Sequence, residues 1–296
     1  MRAAHLYQIL PPRAARAELD PGFEVLDNTA NERPDWFEYW PIRRYFSTAS
    51  LDDAAYYGFF SPRFKQKTNL TAAAVRDFIA AAPASPDAVL FSPSIHNSAY
   101  YWNVFEHGDA EHQGLKQVAQ RLFERLGVRT DLDRLINDSR NTVYSNFFAA
   151  KPRFWRAWLE LNERLFAIAE AAGDALGEAL RAPTDYRGGR GVQMKVFIME
   201  RMASWLLASG SGFTAAARDP FAARSRIYKL PLAIACDALK IAYATQGRAQ
   251  YRDVYLWARG CRRLLSAQVR VGGALRLPGA AAGLEQLQSY WQEERR

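Results

Sequence analysis

The sequence predicts an α/β protein, with a three-layer core followed by a helical C-terminal region. Three observations carry that expectation. Short apolar or aromatic runs of strand length lie at residues 5–10, 23–26, 56–60 and 87–92, punctuated by Pro, Gly, Asn and Asp. Longer segments with apolar residues at helical spacing come after them and crowd the second half of the chain. The 296 residues, 49% of them hydrophobic, are enough to bury a large core. Strands early and helices late favour a core over residues 1–210 and a helical extension over 211–296.

Residues 5–10 read as a first strand ending at Pro11-Pro12, which places Tyr7 and Gln8 near the carboxyl end, where open α/β sheets bind ligands. Core packing accounts for Tyr7 equally well. The stretch 20–47 is too rich in Pro, Asn and Asp for one regular element, and its rings Trp36, Trp40 and Tyr45 beside Arg43 and Arg44 mark an ordered loop that is a candidate ligand wall. After strand 56–60, Arg63, Lys65 and Lys67 alternate. In extended chain they form a cationic rail suited to a diphosphate, and otherwise a solvated basic loop. Thr71 caps a helix over 72–82, which Pro83 and Pro86 end, and the buried run 87–92 comes next.

That run delivers the chain into HNSAYYWNVFEHGDAEHQGL, residues 96–115, which holds three of the four histidines (His96, His107, His112) with Asn103, Glu106, Asp109 and Glu111. With Gly108 giving a turn, Asp109 and Glu111 in extended chain face the same side and could hold a divalent ion against a phosphate. An ordinary polar loop has the same composition. Helices are expected at 113–126 and 132–136, then a strand over 141–150 interrupted by Ser145 and Asn146, which read either as acceptor-binding groups or as buried amides. Pro152 opens a helix to about residue 180. The glycine-rich break 183–191 reads as a lid or a plain loop, and an amphipathic helix succeeds it with Val192, Val196, Met199, Ala203 and Leu206 on one stripe. Glu200 lies beside that stripe, with Arg201 next to it. Burial or a partner suits such a carboxylate to act as a base, and a structural Glu–Arg ion pair is the alternative. Helical patterns at 232–245, 251–265 and 284–293 close the chain. Their basic residues, with Arg224, Arg226 and Lys229 ahead of them, suit a membrane surface or a partner.

Composition narrows the function classes. A net charge of +8 and a pI near 9.5 favour anionic partners, or serve solubility alone. Cys236 and Cys261 show neither disulfide nor metal spacing, no apolar run reaches membrane-span length, and no secretory signal is read, so a cytoplasmic location is expected. No P-loop or GxGxxG order is present, and no nucleic-acid signature organises the scattered basic residues.

Taken together, Tyr7-Gln8, Leu26-Asp27-Asn28, residues 57–62 (YGFFSP), the segment 103–112, Ser145-Asn146-Phe147-Phe148 and Glu200-Arg201 resemble bacterial glycosyltransferase-like proteins of surface polysaccharide synthesis. The resemblance covers about residues 1–207 and implies a Rossmann-like fold of the GT-A type. It implies transfer of a sugar from a nucleotide-sugar donor to a glycan or lipid-linked acceptor, at or near the inner membrane and without nucleic acid. Asp109-Ala110-Glu111 stands where that family has Asp-x-Asp, so Asp109, Glu111 and His112 are the implied ligands of Mn²⁺ or Mg²⁺. Glu200 is the implied base. Tyr7, Gln8, Arg63, Lys65, Lys67 and Asn103 are expected on the donor, and Glu106, His107, Ser145 and Asn146 on the substrate. A metal-dependent hydrolase built on His107, Asp109 and His112, and a basic nucleic-acid-binding protein, are the rival classes.

Overall fold

The computed structural model describes residues 2–93, 98–184, 191–221 and 230–268. A six-stranded mixed sheet runs in the order β2-β1-β3-β5-β4-β8. Its strands are β1 (Ala4–Leu10), β2 (Glu24–Asp27), β3 (Tyr56–Phe60), β4 (Ala88–Leu90), β5 (Phe148–Ala150) and β8 (Ala215–Ala217). Strands β6 (Pro183–Thr184) and β7 (Val192–Gln193) form a separate antiparallel pair. Only β5 is antiparallel to its neighbours in the main sheet, so five strands end, and β5 begins, at one edge.

Ten α-helices lie among the described residues: α1 (Tyr39–Thr48), α2 (Phe64–Thr68), α3 (Ala72–Ala81), α4 (Val104–Glu111), α5 (Leu115–Arg125), α6 (Pro152–Glu170), α7 (Ala175–Arg181), α8 (Met194–Ala208), α9 (Leu230–Gln246) and α10 (Ala249–Gln268). The sheet separates two apolar clusters, which makes the expected three layers. β3 is buried throughout because its alternate residues serve both. Tyr57 and Phe59 pack toward the large cluster built on α1, α6 and α8, where Trp155 donates to the Tyr57 carbonyl (2.9 Å) and stacks on Phe148. Tyr56 and Phe60 face the smaller cluster with Phe64 of α2 and Val75 and Ile79 of α3. No helix of the described residues is long and apolar enough to cross a membrane.

Several elements differ from the sequence expectation. Residues 64–68 form a short helix, so Arg63, Lys65 and Lys67 do not make an extended rail. The acidic segment is likewise helical, as α4. Only a turn forms at 132–134, and Ser145 and Asn146 (φ 56° and 52°) break the expected strand over 141–150, leaving 148–150. The long helix stops at residue 170; Gly173 (φ 70°) reverses the chain, and Asp174 caps α7 by accepting from the Leu176 and Gly177 amides. Helix α8 is not amphipathic: it is buried on nearly every side, between α6, α4, α7 and α5. Because β8 is the edge strand of the sheet, the core runs past residue 210, the expected boundary. His96, most of the 183–191 break, Arg224, Arg226, Lys229 and the expected helix 284–293 lie outside the described residues.

One buried charge fixes the layer above the sheet. Lys195, at the start of α8 and fully buried, donates to Asp35 (2.6 Å), lies 3.7 Å from Glu170 of α6, and sits 4.0 Å over the Trp36 ring. Arg33 joins both carboxylates from outside, and the Trp36 indole donates to Glu170. The loop 33–38, with little regular structure of its own, is thereby tied to α6 and α8. Replacing Lys195 by Met leaves Asp35 and Glu170 with only Arg33 as counter-charge, and is expected to lower unfolding stability by about 3 kcal/mol. A lower urea midpoint at unchanged slope checks this, and an unchanged midpoint contradicts it.

Candidate functional site

The carboxyl edge of the sheet gathers side chains that are far apart in sequence. Glu38 reaches it from the ion-paired loop. Phe37, just before it, has φ 48° and ψ −127° and is about half exposed, a backbone state that costs a bulky residue on the order of 1–3 kcal/mol. Strain held in place by the anchored Asp35 and Trp36 on one side and by α1 on the other sets where the Glu38 carboxylate goes. Glu200 approaches from α8, and Lys67 from the end of α2. Ser145 and Asn146 arrive from the loop entering β5, both in the left-handed region, which presents two successive side chains at the edge. That loop is held by Ser204 of α8, whose hydroxyl accepts from the Val143 amide (2.8 Å) and donates to the Val143 carbonyl.

Lys67 Nζ donates to Ser145 Oγ (2.8 Å) and lies over the Phe147 ring. Both carboxylates are half-buried and interact with each other and with Lys67. Burial, then the charge of Glu200, pushes the Glu38 carboxyl up to about 8, against the opposing pull of Lys67 and of a hydrogen bond from Asn146. Burial also raises Glu200, while Arg201 and Lys67 favour its charged form. At neutral pH Glu38 therefore carries a proton, and Glu200 has Arg201 as well as Lys67 to favour its charged form. Asn146 Oδ1 is buried and accepts no hydrogen bond among the described residues; Asn28 Oδ1, just past β2 at the same edge, is in the same condition.

Behind this cluster, Arg201 donates to the Val104 and Phe197 carbonyls (2.8 and 2.6 Å). Its guanidinium passes so close to Gly108 that a Cβ there would lie 2.5 Å from Nε, which is the reason for a glycine inside α4. His107 Nδ1 shares a hydrogen bond with the Tyr144 hydroxyl (2.8 Å), and burial, with Arg201 and Arg262 nearby, lowers the imidazole to about 4. His107 is thus neutral, part of the wall that holds Arg201 and Tyr144.

Of the residues expected at a site, Lys67, Ser145, Asn146 and Glu200 converge. The expected metal set does not. In α4, Asp109 and Glu111 point about 200° apart instead of to one side; Asp109 accepts from the Lys116 amide, Glu111 is exposed, and the buried His112 bonds Thr184 and stacks on Phe197 (3.6 Å). These three do not fit a divalent ion, and among the described residues no group of three or more His, Cys, Asp or Glu is placed to hold one. Gln8 is committed to the Ser61 and Pro62 carbonyls and the Asp20 amide, and Tyr7 bonds Tyr45 and stacks on Phe59. Asn103 caps α4 and donates to the Leu132 and Leu135 carbonyls, so its side chain holds a turn. Glu106 pairs with Arg259 on a separate cavity of about 820 Å³ beside the α9–α10 hairpin. Arg63 and Lys65 are exposed, Arg43 is taken by Glu163 and Arg44 by the Asp27 carbonyl. Glu38 went unread in the sequence. The signal available was its place in the ring-rich loop singled out as a ligand wall.

The chain matches no family model, no curated protein and no solved structure.

The raised Glu38 carboxyl has a measurable signature. A group lifted from 4.5 to about 8 by folding contributes stability that is full below 4.5 and is lost as the pH climbs through 8. The thermal midpoint of Glu38→Gln, relative to the parent, is therefore expected to rise by several degrees between pH 5 and pH 9. Carboxyl-carbon NMR should show Glu38 titrating near 8, and a midpoint near 4.5 contradicts the assignment.

Proposed function

We propose that the chain is a glycosyltransferase, transferring a sugar from a nucleotide-activated donor to a hydroxyl of a glycan or lipid-linked acceptor at the carboxyl edge of a Rossmann-like sheet. The observation that supports this most is the Glu38–Glu200 pair beside Lys67. Glu38, raised by burial and by the charge of Glu200, supplies an acid, and Glu200, whose charged form Arg201 and Lys67 favour, supplies a base. Glu200, favoured in its charged form by Arg201 and Lys67, takes the proton of the acceptor hydroxyl, whose oxygen bonds to the anomeric carbon. The bond from that carbon to the donor diphosphate breaks, and the negative charge on the leaving group meets the Lys67 ammonium. Protonated Glu38 adds no repulsion against an anionic donor. Asn146 Oδ1 and Asn28 Oδ1 are acceptors suited to sugar or ribose hydroxyls.

Release of free nucleotide from UDP-, GDP- and CMP-sugars, with and without Mn²⁺ and with a polyprenyl-linked or oligosaccharide acceptor, tests the reading. Glu200→Gln is expected to lower turnover about 100-fold or more. Lys67→Ala should cost about 10- to 100-fold, the scale of a lost electrostatic stabiliser, while Arg63→Ala and Lys65→Ala leave the rate unchanged. No binding and no turnover with any donor class, or equal losses for Lys65 and Lys67, would count against it.

A further inference from the structure

We infer that the cavity beside the α9–α10 hairpin is a binding site for a small organic anion, an acidic head carried on an apolar body. Its volume of about 820 Å³ falls within the roughly 300–1,000 Å³ typical of small-molecule pockets. One wall belongs to the core: residues 132–136, Trp102 just ahead of α4, Glu106 within it, and Lys116 of α5. The other is the inner side of the hairpin, with Tyr243 from α9 and Arg252, Leu256 and Arg259 from α10. In α4, Glu106 and Gly108 are two positions apart and so point about 200° from one another. Glu106 lines the cavity while Gly108 packs on Arg201, so the cavity and the Arg201 side of the sheet-edge cluster lie on opposite sides of α4. The inference therefore does not draw on the transfer reading and survives its failure.

Two kinds of surface meet in this space. Trp102, Ile136, Tyr243 and Leu256 supply the apolar part: the Tyr243 ring packs on Trp102 with centroids 5.4 Å apart, and Leu256 is 50% exposed on the cavity wall. The charged part is unbalanced once its pairs are set aside. Arg259 is held by Glu106 (2.6 Å), and Lys116 by Asp133, so both acids of the lining are taken. Arg134, exposed on the core wall, makes no side-chain hydrogen bond or ion pair among the described residues. Arg252, on the hairpin wall, meets only its chain neighbour Asp253 at 3.4 Å, with both side chains more than half exposed, a contact of little strength. Two guanidiniums thus remain, one on each wall, with no lining acid to balance them. A guanidinium grips a carboxylate or phosphate through parallel N–H donors. A neutral ligand would leave Arg134 without counter-charge, and a bare inorganic ion would leave Leu256 in water; an acidic head on an apolar body meets both conditions.

Isothermal titration of the full chain with octyl phosphate, octanol and inorganic phosphate, each below any micelle-forming concentration, tests it. Octyl phosphate is expected to bind saturably and about tenfold or more tighter than the head or the body alone. Arg134→Gln should weaken it about tenfold and Leu256→Ser several-fold, while circular dichroism and the thermal midpoint stay at parental values because both side chains are exposed. Ile234→Ser, on the exposed outer side of the hairpin, should leave the affinity unchanged. Absence of saturable octyl phosphate binding overturns the proposal, as does octanol or inorganic phosphate binding as tightly as octyl phosphate. Parental affinity in both the Arg134 and Leu256 variants overturns it too, and so does an equal loss in Ile234→Ser, which would mark general adhesion to the hairpin.

Discussion

The buried ammonium of Lys195 is the interaction on which the architecture above the sheet depends. Sealing a full charge from water is costly, and it is tolerated here because Asp35, Glu170 and the face of Trp36 surround it, with Arg33 balancing the two acids from the outer side. The arrangement joins three stretches that no strand connects: a loop of the first fifty residues, the long helix α6 and the central helix α8. A stretch with as little regular structure as 28–38 would ordinarily be mobile. Charge pairing instead gives that segment a single position, and the strained backbone at Phe37 persists because both of its flanks are fixed.

The site inherits its electrostatics from that rigidity. Two carboxylates approaching the same point repel, and a flexible loop would relieve the repulsion by swinging Glu38 away. With Asp35 and Trp36 held and α1 packed on the sheet, the cheaper response is for one carboxyl to keep its proton. Lys67 opposes this only in part, because its ammonium is also engaged by Ser145. Arg201 strengthens the asymmetry: it lies next to Glu200 in the chain, while its guanidinium is fastened to the Val104 and Phe197 carbonyls.

The layered α/β plan and most strands were legible in the sequence, since strand-length apolar runs such as 56–60 and the Pro152 helix start are local signals. The features that escaped were set by tertiary context. Residues 104–111 carry turn-like Asp, His and Gly, yet fold as a helix because Asn103 caps them and Gly108 clears room for Arg201. Helix α8 shows an apolar stripe in sequence but is enclosed by four other helices, so periodicity understated its burial. At the edge of the sheet, Lys67, Ser145, Asn146 and Glu200 were picked out by type and place. The other residues expected beside them are polar groups whose bonds close inside the fold, as with Gln8 and Asn103. Glu38 was hidden because a lone acid in an irregular loop has no pattern; only the conformation at Phe37 gives it an address.

The reversed strand β5 has an effect beyond sheet pairing. In a wholly parallel sheet each strand supplies the working edge only with the loop that leaves its carboxyl end, so each loop there is the first part of a crossover that must climb back over a face. Here Ser145 and Asn146 come from a segment on its way into the sheet, after its return journey is complete, and Pro152 starts α6 at the far edge. Residues 137–147 thus owe their position to bonds of their own and not to a crossover: Val143 and Phe147 are fully buried, and Ser204 of α8 bonds both the amide and the carbonyl of Val143. Both borders of the site are in this way fastened to one central helix, the first through the Ser204 hydroxyl and the second through the Lys195 ammonium, so a shift of α8 moves them together.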